Sequence, residues 1–217
     1  MRLFVLSFSK IIQDAIADRP VSLEGLWNSL TVNDNPSHPD VIFVLAGLQE
    51  RKAFGLELFR EGFAPRIILS VGRFEVRKMD QLGFRDLNLR ALTASLPPAQ
   101  RHFFIDLSGE ARRVSVAGVQ RVGTFGELSA LATYLRVPKV RSVTLISTSI
   151  HLRRVRWCCR RISGFRDIQL SYLPVPEDLS FFRRQRWWKR PDHWAYVTAE
   201  FTKLLAYLIR FGGKSDV

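Results

Sequence analysis

The stretch VIFVLAG, residues 41–47, decides the fold class of this chain of 217 residues. Its first six residues are apolar without interruption, and four of them are β-branched or aromatic. A strand has this composition when it is buried on both faces of a parallel sheet, because helices cover both of its sides. Gly47 ends the strand, and residues 49–63 then follow a helical pattern.

The alternation of strand and helix continues along the chain. Residues 108–124 are open to two interpretations, a minor strand or a long loop. The pattern predicts an α/β fold with three layers, in which a mainly parallel sheet is flanked by helices in a Rossmann-like, doubly wound arrangement. Further strands are predicted at residues 66–70, 102–107, 142–147 and 167–173, and further helices at 74–93 (with a break at Gly83), 124–136, 149–163 and 192–213.

We expect one domain over residues 1–217, because a chain of this length can bury a single large core. The core covers residues 40–210, and residues 1–39 form a helical extension with an amphipathic helix at 3–18. Hydrophobic residues make up 47% of the chain, which excludes general disorder. The 33 Lys and Arg against 20 Asp and Glu give a formal charge of +13, which favours anionic partners.

The cysteines and the amino-terminal residues indicate the cellular compartment in which the protein is expected. Cys158 and Cys159 are adjacent and no CxxC spacing exists, so we expect reduced thiols and no metal site. The first twenty residues lack the apolar region and cleavage site of a signal peptide, and no uninterrupted apolar run could span a bilayer. These features predict a cytoplasmic protein and leave contact with the inner membrane open. No cofactor can be named.

Small polar and charged residues recur where the predicted strands end. In a parallel sheet these carboxyl ends lie along one edge, where the ligands of such sheets bind. Helices that begin at this edge direct backbone N–H groups and a positive dipole end toward it, which suits phosphate or carboxylate. The candidate ligand-binding residues are Gly47, Arg51, Ser70, Gly72, Thr124, Thr148, Ser149 and Arg154, and the candidate catalytic residues are Glu75, Glu127 and His151.

Individual roles follow from the chemistry of these side chains. Arg51 and Arg154 are permanently charged and fork-shaped, so they would clamp an anionic group, which backbone N–H groups at Gly47, Gly72 and Ser149 would cradle. His151 is the natural general acid or base, because its ordinary pKa lies close to neutral pH.

Two carboxylates and two serines complete the candidate chemistry. Glu75 and Glu127 would either orient the histidine or bind a hydroxyl group. Ser70 and Ser147 are candidate nucleophiles, although neither lies in a G-x-S-x-G turn. The sequence contains neither G-x-G-x-x-G nor a Walker motif, so standard dinucleotide and P-loop functions are disfavoured.

Each feature also has a purely structural interpretation. Thr124 and Glu127 form a T-x-x-E capping box, and Ser149 fits a helix N-cap. His151 and Arg154 are three residues apart and share one helix face, which could simply be solvated. The recurrence at four successive strand ends favours a site over these separate explanations.

The order of these motifs resembles the SanA/ElyC/YdcF-like proteins of bacteria. The resemblance covers residues 40–210, and the helix at 192–213, with Glu200 before an apolar stretch, resembles the carboxyl-terminal glutamate segment of that family. The chain differs from the family at two places: Val71-Gly72 stands where the family has Gly-Gly, and Gly123 stands where the family has asparagine. It also has a long insertion before Thr124. The matching segments are VLAG with Arg51, LSVG with Glu75, GTFGE at 123–127 and TSIHLRR at 148–154.

The resemblance implies a Rossmann-like fold and a role in bacterial cell-envelope and peptidoglycan biogenesis. It also implies a small anionic ligand, such as a nucleotide, S-adenosylmethionine or a sugar phosphate. Whether the protein catalyses a reaction is left open.

The segment FFRRQRWWKRP, residues 181–191, suggests two alternatives. Its aromatic residues could stack on the bases of single-stranded nucleic acid while its arginines hold phosphates, although no nucleic-acid motif is present. Trp187 and Trp188 could instead lie at the headgroup level of an anionic membrane. The structural alternative is a solvated basic loop whose tryptophans pack under the last helix.

Overall fold

The computed structural model of the chain describes residues 23–35, 38–119, 123–136, 140–185 and 187–211. The helix predicted over residues 3–18 lies outside these ranges.

The described residues form one six-stranded sheet, in the spatial order β4-β3-β2-β1-β5-β6. Both central strands match the predicted apolar runs, and β5 has the predicted bounds. The strands are β1 (Val41–Val44), β2 (Arg66–Gly72), β3 (His102–Ser108), β4 (Ala111–Val116), β5 (Ser142–Ser147) and β6 (Gln169–Pro174).

Helices follow most of the strands. The helix predicted over residues 74–93 breaks at Gly83, as expected, but it is divided further into two short α-helices and two 3-10 turns, Asp80–Leu82 and Arg85–Leu87. Gly83 separates these turns with a positive φ of 87°, a conformation that ends helical geometry. The α-helices are α1 (Leu23–Leu30), α2 (Gln49–Arg60), α3 (Val76–Met79), α4 (Leu89–Ser95), α5 (Thr124–Tyr134), α6 (Leu152–Cys159) and α7 (Pro191–Phe211).

Strand β3 runs against the other strands of the sheet. It pairs antiparallel with both β2 and β4, whereas β1, β2, β5 and β6 are mutually parallel. A two-residue connection, Gly109–Glu110, joins β3 to β4, and Gly109 has a φ of 56°. The carboxyl end of β3 therefore lies at the opposite edge from the one expected, and β4 returns the chain to the candidate edge before α5.

Helices cover both faces of the sheet, which makes the fold a three-layer α/β arrangement. Side chains of β1 alternate between the two cores: Val41 and Phe43 pack with residues of α5 and α6 on one face. On the other face, Ile42 and Val44 pack with residues of α2, α3 and α4. This burial on both sides explains why the strand has no polar positions.

The sheet has a topological switch point between β1 and β5. The connection from β1 through α2 to β2 lies on one face, and the connection from β5 through α6 to β6 lies on the other. The two connections diverge, and a crevice opens beyond the carboxyl ends of these two strands. Such crevices are the usual ligand sites of open α/β sheets.

A third cluster of buried side chains joins α1, α7 and the basic segment. Trp187 is 1% exposed and its ring lies 6.4 Å from that of Trp27, while the ring of Phe182 stacks on Tyr196 at 4.0 Å. Phe181 and Trp194 remain exposed. Part of the aromatic character of residues 181–191 is thus core, as the structural alternative predicts for Trp187. Within the described residues, every helix is too short or too polar to cross a membrane.

Candidate functional site

A cavity of about 790 Å³ lies beyond the carboxyl ends of β1 and β2. It is bounded by the start of β3, the start of α5, the turn after β5 and one face of α7. Seven of the predicted site residues line it, and they come from four separate strand ends. These residues are Gly47, Arg51, Gly72, Thr124, Glu127, His151 and Arg154.

Arg154 is held in place by contacts with α7. Its Nε and Nη2 atoms donate to Glu200 Oε2 at 3.0 and 2.7 Å, and its Nη1 donates a short hydrogen bond to Thr124 Oγ1. Arg154 and Glu200 are both buried. Lys203, one turn further along α7, donates to Glu200 Oε1 at 3.0 Å. The arginine is thus fixed from two sides before any ligand binds.

His151 lies between two hydroxyl groups. Its Nδ1 is 2.7 Å from Ser147 Oγ, and its Nε2 is 3.1 Å from Thr124 Oγ1. Burial, together with the nearby charges of Arg154, Arg51 and Lys203, holds the pKa of His151 well below its ordinary value of 6.5. The imidazole is therefore neutral at pH 7, with one nitrogen able to donate and the other able to accept.

Arg51, at the start of α2, hydrogen-bonds to residues that follow β1 and β5. Its Nη1 donates to Ala46 O at 2.6 Å, and its Nη2 donates to Thr148 Oγ1 at 2.9 Å and to Tyr196 OH at 3.3 Å. Its Nε atom is buried without a hydrogen-bond partner among the described residues. Gly47 has a φ of 130°, and a Cβ there would lie 2.9 Å from Arg51 Nη1. The backbone conformation therefore favours glycine, and a Cβ there would also displace the guanidinium of Arg51.

Glu75 occupies the backbone donors that were expected to cradle a ligand. Its Oε1 accepts from Gly47 N at 2.8 Å and from Gly72 N at 3.3 Å, and its Oε2 accepts a short hydrogen bond from Lys52 Nζ. Burial lowers the pKa of Lys52, and the Glu75 carboxylate opposes this effect. The prediction that these two backbone N–H groups cradle a ligand anion is therefore wrong for this conformation, because the protein's own carboxylate already takes both.

The sequence suggested that Glu75 and Glu127 could orient His151, but in the structure these carboxylates do not hold its ring. Glu127 Oε1 accepts from Ala46 N at 2.7 Å, and neither Glu127 nor Glu75 hydrogen-bonds to His151 in the part of the chain that the structure describes. Hydroxyl groups hold the ring instead. Glu127 nevertheless lines the cavity, so its predicted contact with a ligand hydroxyl stays a prediction.

The two candidate serine nucleophiles are fully buried and lie outside the cavity lining. Ser70 Oγ is 2.7 Å from His102 Nε2, and Ser147 contacts the other histidine, His151. Both serines therefore hold histidine rings instead of facing a substrate.

The structure also corrects two helix caps. Ser149 begins a 3-10 turn, Ser149–His151, whose N-cap is Thr148, and the N-cap of α5 is Gly123 instead of Thr124. Neither Ser149 nor Thr124 therefore serves as the cap that the sequence suggested. Thr148 supports Arg51, while Thr124 is the first residue of α5 and reaches the cavity.

Several lining residues were missed by the sequence reasoning. Arg101 and His102 reach the cavity because β3 starts at this edge, and the short Gly109–Glu110 connection is the hairpin signal that could have revealed its direction. Burial lowers the pKa of His102, while Glu127 and Glu75 oppose the shift. Tyr196, Lys203 and Tyr207 come from α7, and only their spacing on one helix face hinted at a shared surface.

Positive charge dominates the lining. Five cationic side chains line the cavity against two carboxylates, those of Glu127 and Glu200. No group of three or more histidine, cysteine or acidic residues in the described ranges is arranged to hold a metal ion. The cationic residues are Arg51, Arg73, Arg101, Arg154 and Lys203.

We compared the chain with models of protein families, with curated proteins and with solved structures, and none of the three comparisons found a match.

Proposed function

We propose that the cavity binds a small molecule that carries a phosphate or a similar anionic group. The observation that carries the proposal is the lining itself, in which five cationic side chains face two carboxylates at the switch point of the sheet. One of these carboxylates, Glu200, is already paired with Arg154 and Lys203. The positive charge that is left over favours an anion from solution.

The cationic residues are suited to different tasks. Arg154 and Arg51 are buried and fixed by several hydrogen bonds, so they offer a preorganised positive surface whose ordering has already been achieved on folding. Arg73 and Lys203 are exposed at the rim, where an anion from solution would meet them first. The dipole of α5, which begins at Thr124, adds positive potential at the same place.

The rim also has an apolar side, which indicates that the ligand is more than a bare anion. Leu48, Pro98 and Val119 line it together with Phe74, whose side chain is 79% exposed. The guanidinium of Arg73 lies 4.3 Å from the centre of the Phe74 ring. An organic group attached to the phosphate would cover this surface, as a nucleoside or a sugar would.

The test is calorimetric titration of the protein with pyrophosphate at low salt. Because a hydrogen bond to a charged group contributes strongly, Lys203→Ala and Arg101→Ala should each weaken binding by about tenfold or more. Arg160→Ala removes an exposed cation at the end of α6 and is the matched control. Absence of pyrophosphate binding by the unaltered protein, or equal affinity in all three variants, would contradict the proposal.

The Rossmann-like classification and a role in bacterial cell-envelope metabolism form the finer part of this proposal. They are supported by the resemblance of the four strand-end motifs to the SanA/ElyC/YdcF-like proteins. The topological switch point and the joint contacts of His151 and Arg154 with Thr124 support the same assignment.

A second candidate function is contact with an anionic membrane surface. Phe181 and Trp194 are 49% and 53% exposed, and Arg183, Arg184 and Lys189 are exposed in the same segment. Co-sedimentation with vesicles that contain phosphatidylserine would test it, with Phe181→Ser/Trp194→Ser as the variant. Equal sedimentation of the protein and the variant would eliminate this function. Single-stranded nucleic acid is disfavoured, because Trp187 and Phe182 are buried and cannot stack on bases.

A further inference from the structure

The hydroxyl of Thr124 has an unusual set of partners for a residue at the start of a helix. Its Oγ1 accepts a short hydrogen bond from Arg154 Nη1 and lies 3.1 Å from His151 Nε2. Thr124 also lines the cavity. This one oxygen thus joins the fixed arginine, the neutral histidine and the space where a ligand would lie.

Thr124 and His151 can place their protons in two ways, and one of them leaves a lone pair of the threonine oxygen directed at the cavity. A threonine hydroxyl has one proton and two acceptor positions, and an arginine can only donate. If the proton of Thr124 goes to His151 Nε2, one lone pair accepts from Arg154 and the other is left for the cavity. In this arrangement Nδ1 of His151 carries the ring proton and donates to Ser147 Oγ.

This arrangement has the parts of an activated nucleophile. A hydroxyl becomes a nucleophile when a neighbouring base takes its proton and a third group orients that base. Here His151 is the base, Ser147 is the orienting group, and the guanidinium of Arg154 stabilises negative charge that develops on the threonine oxygen. The low pKa of His151 keeps the ring neutral, and so able to accept a proton, at pH 7.

The hydroxyl of the second hydroxyl–histidine pair, Ser70 with His102, does not line the cavity. Ser70 contacts His102 at 2.7 Å, but Ser70 is fully buried and lies outside the cavity lining. Its oxygen could not reach a bound ligand. Of these two hydroxyl groups, only that of Thr124 belongs to a residue that lines the cavity.

We propose that Thr124 Oγ1 is a catalytic nucleophile that attacks the phosphorus of a phosphate ester held in the cavity, with His151 as its general base. The new Oγ1–P bond forms as the bond from phosphorus to the leaving oxygen breaks, and that oxygen departs with the electron pair. The threonine proton passes to His151 Nε2 and then to the leaving oxygen. Water next attacks the phosphorus of the phosphothreonine while His151 Nε2 takes one of its protons; the Oγ1–P bond breaks, Oγ1 keeps the electron pair and receives that proton from His151, and inorganic phosphate is released. This proposal rests on the anion-binding function proposed above and assigns it a reaction.

The experiment uses an uncharged alkyl fluorophosphonate, because it reports the nucleophile without requiring the anion site. Attack by Thr124 would displace fluoride and leave a phosphonyl group on this residue, which peptide mass spectrometry locates. We expect the adduct on the unaltered protein and on Thr124→Ser, none on Thr124→Ala, and at least tenfold slower labelling of His151→Gln. Thr133→Ala on the same helix and His38→Gln on the surface are the matched controls.

Three results would overturn the assignment: no adduct on the unaltered protein, an adduct at another residue, or labelling of His151→Gln at the unaltered rate. If His151→Gln fails to fold, the pH dependence of labelling of the unaltered protein takes its place, because the rate must fall when acid protonates the histidine. Pyrophosphate titration of the same samples separates the two proposals. If the unaltered protein binds pyrophosphate but forms no adduct, only the assignment of Thr124 as nucleophile is rejected. If the unaltered protein does not bind pyrophosphate, the proposed anion-binding function is rejected.

Discussion

Arg154 donates two hydrogen bonds to a single oxygen of Glu200, and both side chains are buried at the interface between α6 and α7. This pair ties the arginine of the candidate site to a residue of α7 that lies 46 positions further along the chain. Arg154 therefore has two roles, because it faces the cavity and also neutralises a buried carboxylate.

Removing either partner of this pair should destabilise the protein strongly. Glu200→Ala should lower the free energy of unfolding by about 3–5 kcal/mol, because it leaves the charge of Arg154 buried and uncompensated. Arg154→Ala should cost less, since Lys203 still pairs with Glu200. Urea denaturation measures both, with Asp86→Ala at the exposed Arg112 pair as the control, for which about 0–1 kcal/mol is expected. Equal effects at the buried and exposed pairs would contradict this account.

Acid should destabilise the folded protein through His151. Its folded-state pKa lies well below the ordinary 6.5, so below pH 6.5 the unfolded chain binds a proton that the folded chain does not. Stability should therefore be unaffected by this group above pH 6.5 and fall below it, by at most about 1.4 kcal/mol per pH unit. Unfolding of the unaltered protein and of His151→Gln at pH 7.5, 6.5 and 5.5 measures the difference, and parallel pH profiles would contradict it. His102, whose pKa is also lowered, should leave a residual slope in the variant.

Removing the carboxylate of Glu75 should create a site for a small anion. Glu75→Ala leaves Lys52 buried and leaves the N–H groups of Gly47 and Gly72 without their acceptor. We expect a lower free energy of unfolding that added acetate or phosphate partly restores, because a ligand that binds only the folded state stabilises it. Thermal unfolding with and without acetate measures the rescue. Glu57→Ala, on the exposed face of α2, should show neither effect, and an equal response of both variants would refute the prediction.

Two tryptophans of the carboxyl-terminal part should differ sharply in their contribution to stability. Trp187 is 1% exposed, so Trp187→Ala should cost about 3–5 kcal/mol through the loss of packing. Trp194 is 53% exposed, and its replacement by alanine should change stability by about 0.5 kcal/mol or less. Denaturation followed by circular dichroism distinguishes them. Similar costs at both positions would mean that the basic segment does not pack as described.

The central sheet could be predicted from the sequence because buried strands have a recognisable pattern of apolar residues. Residues 41–46 form an unbroken apolar run, residues 142–147 place Val143, Leu145 and Ile146 in a short β-type stretch, and a helix pattern follows each. The composition of β3 does not show its direction, because a buried strand has the same composition whichever way it runs, and only the short Gly109–Glu110 connection indicates the reversal. The reversal of β3 is why His102, at its start, was missed as a site residue while Thr124 was found.

The candidate site was predictable as a set of residues but less so as a set of contacts. His151 and Arg154 lie together at the cavity because three residues nearly complete one helical turn. The partners of Glu75 depend instead on Lys52, a lysine buried within α2, and an amphipathic pattern assigns such a residue to solvent. Glu200 and Lys203 reach the cavity only through the packing of α7, which no local pattern determines.

Helix α7 is synthesised after the segments that form the floor of the cavity, so it can dock only after they exist. The cavity floor is made by segments that precede β6, whereas Tyr196, Glu200 and Lys203 arrive with a helix that is synthesised afterwards. Until α7 docks, Arg154 has no buried carboxylate to neutralise it, and water can reach the floor of the cavity. In a chain whose sheet is complete, this crevice would stay open and positively charged until docking of α7 supplies the carboxylate of Glu200.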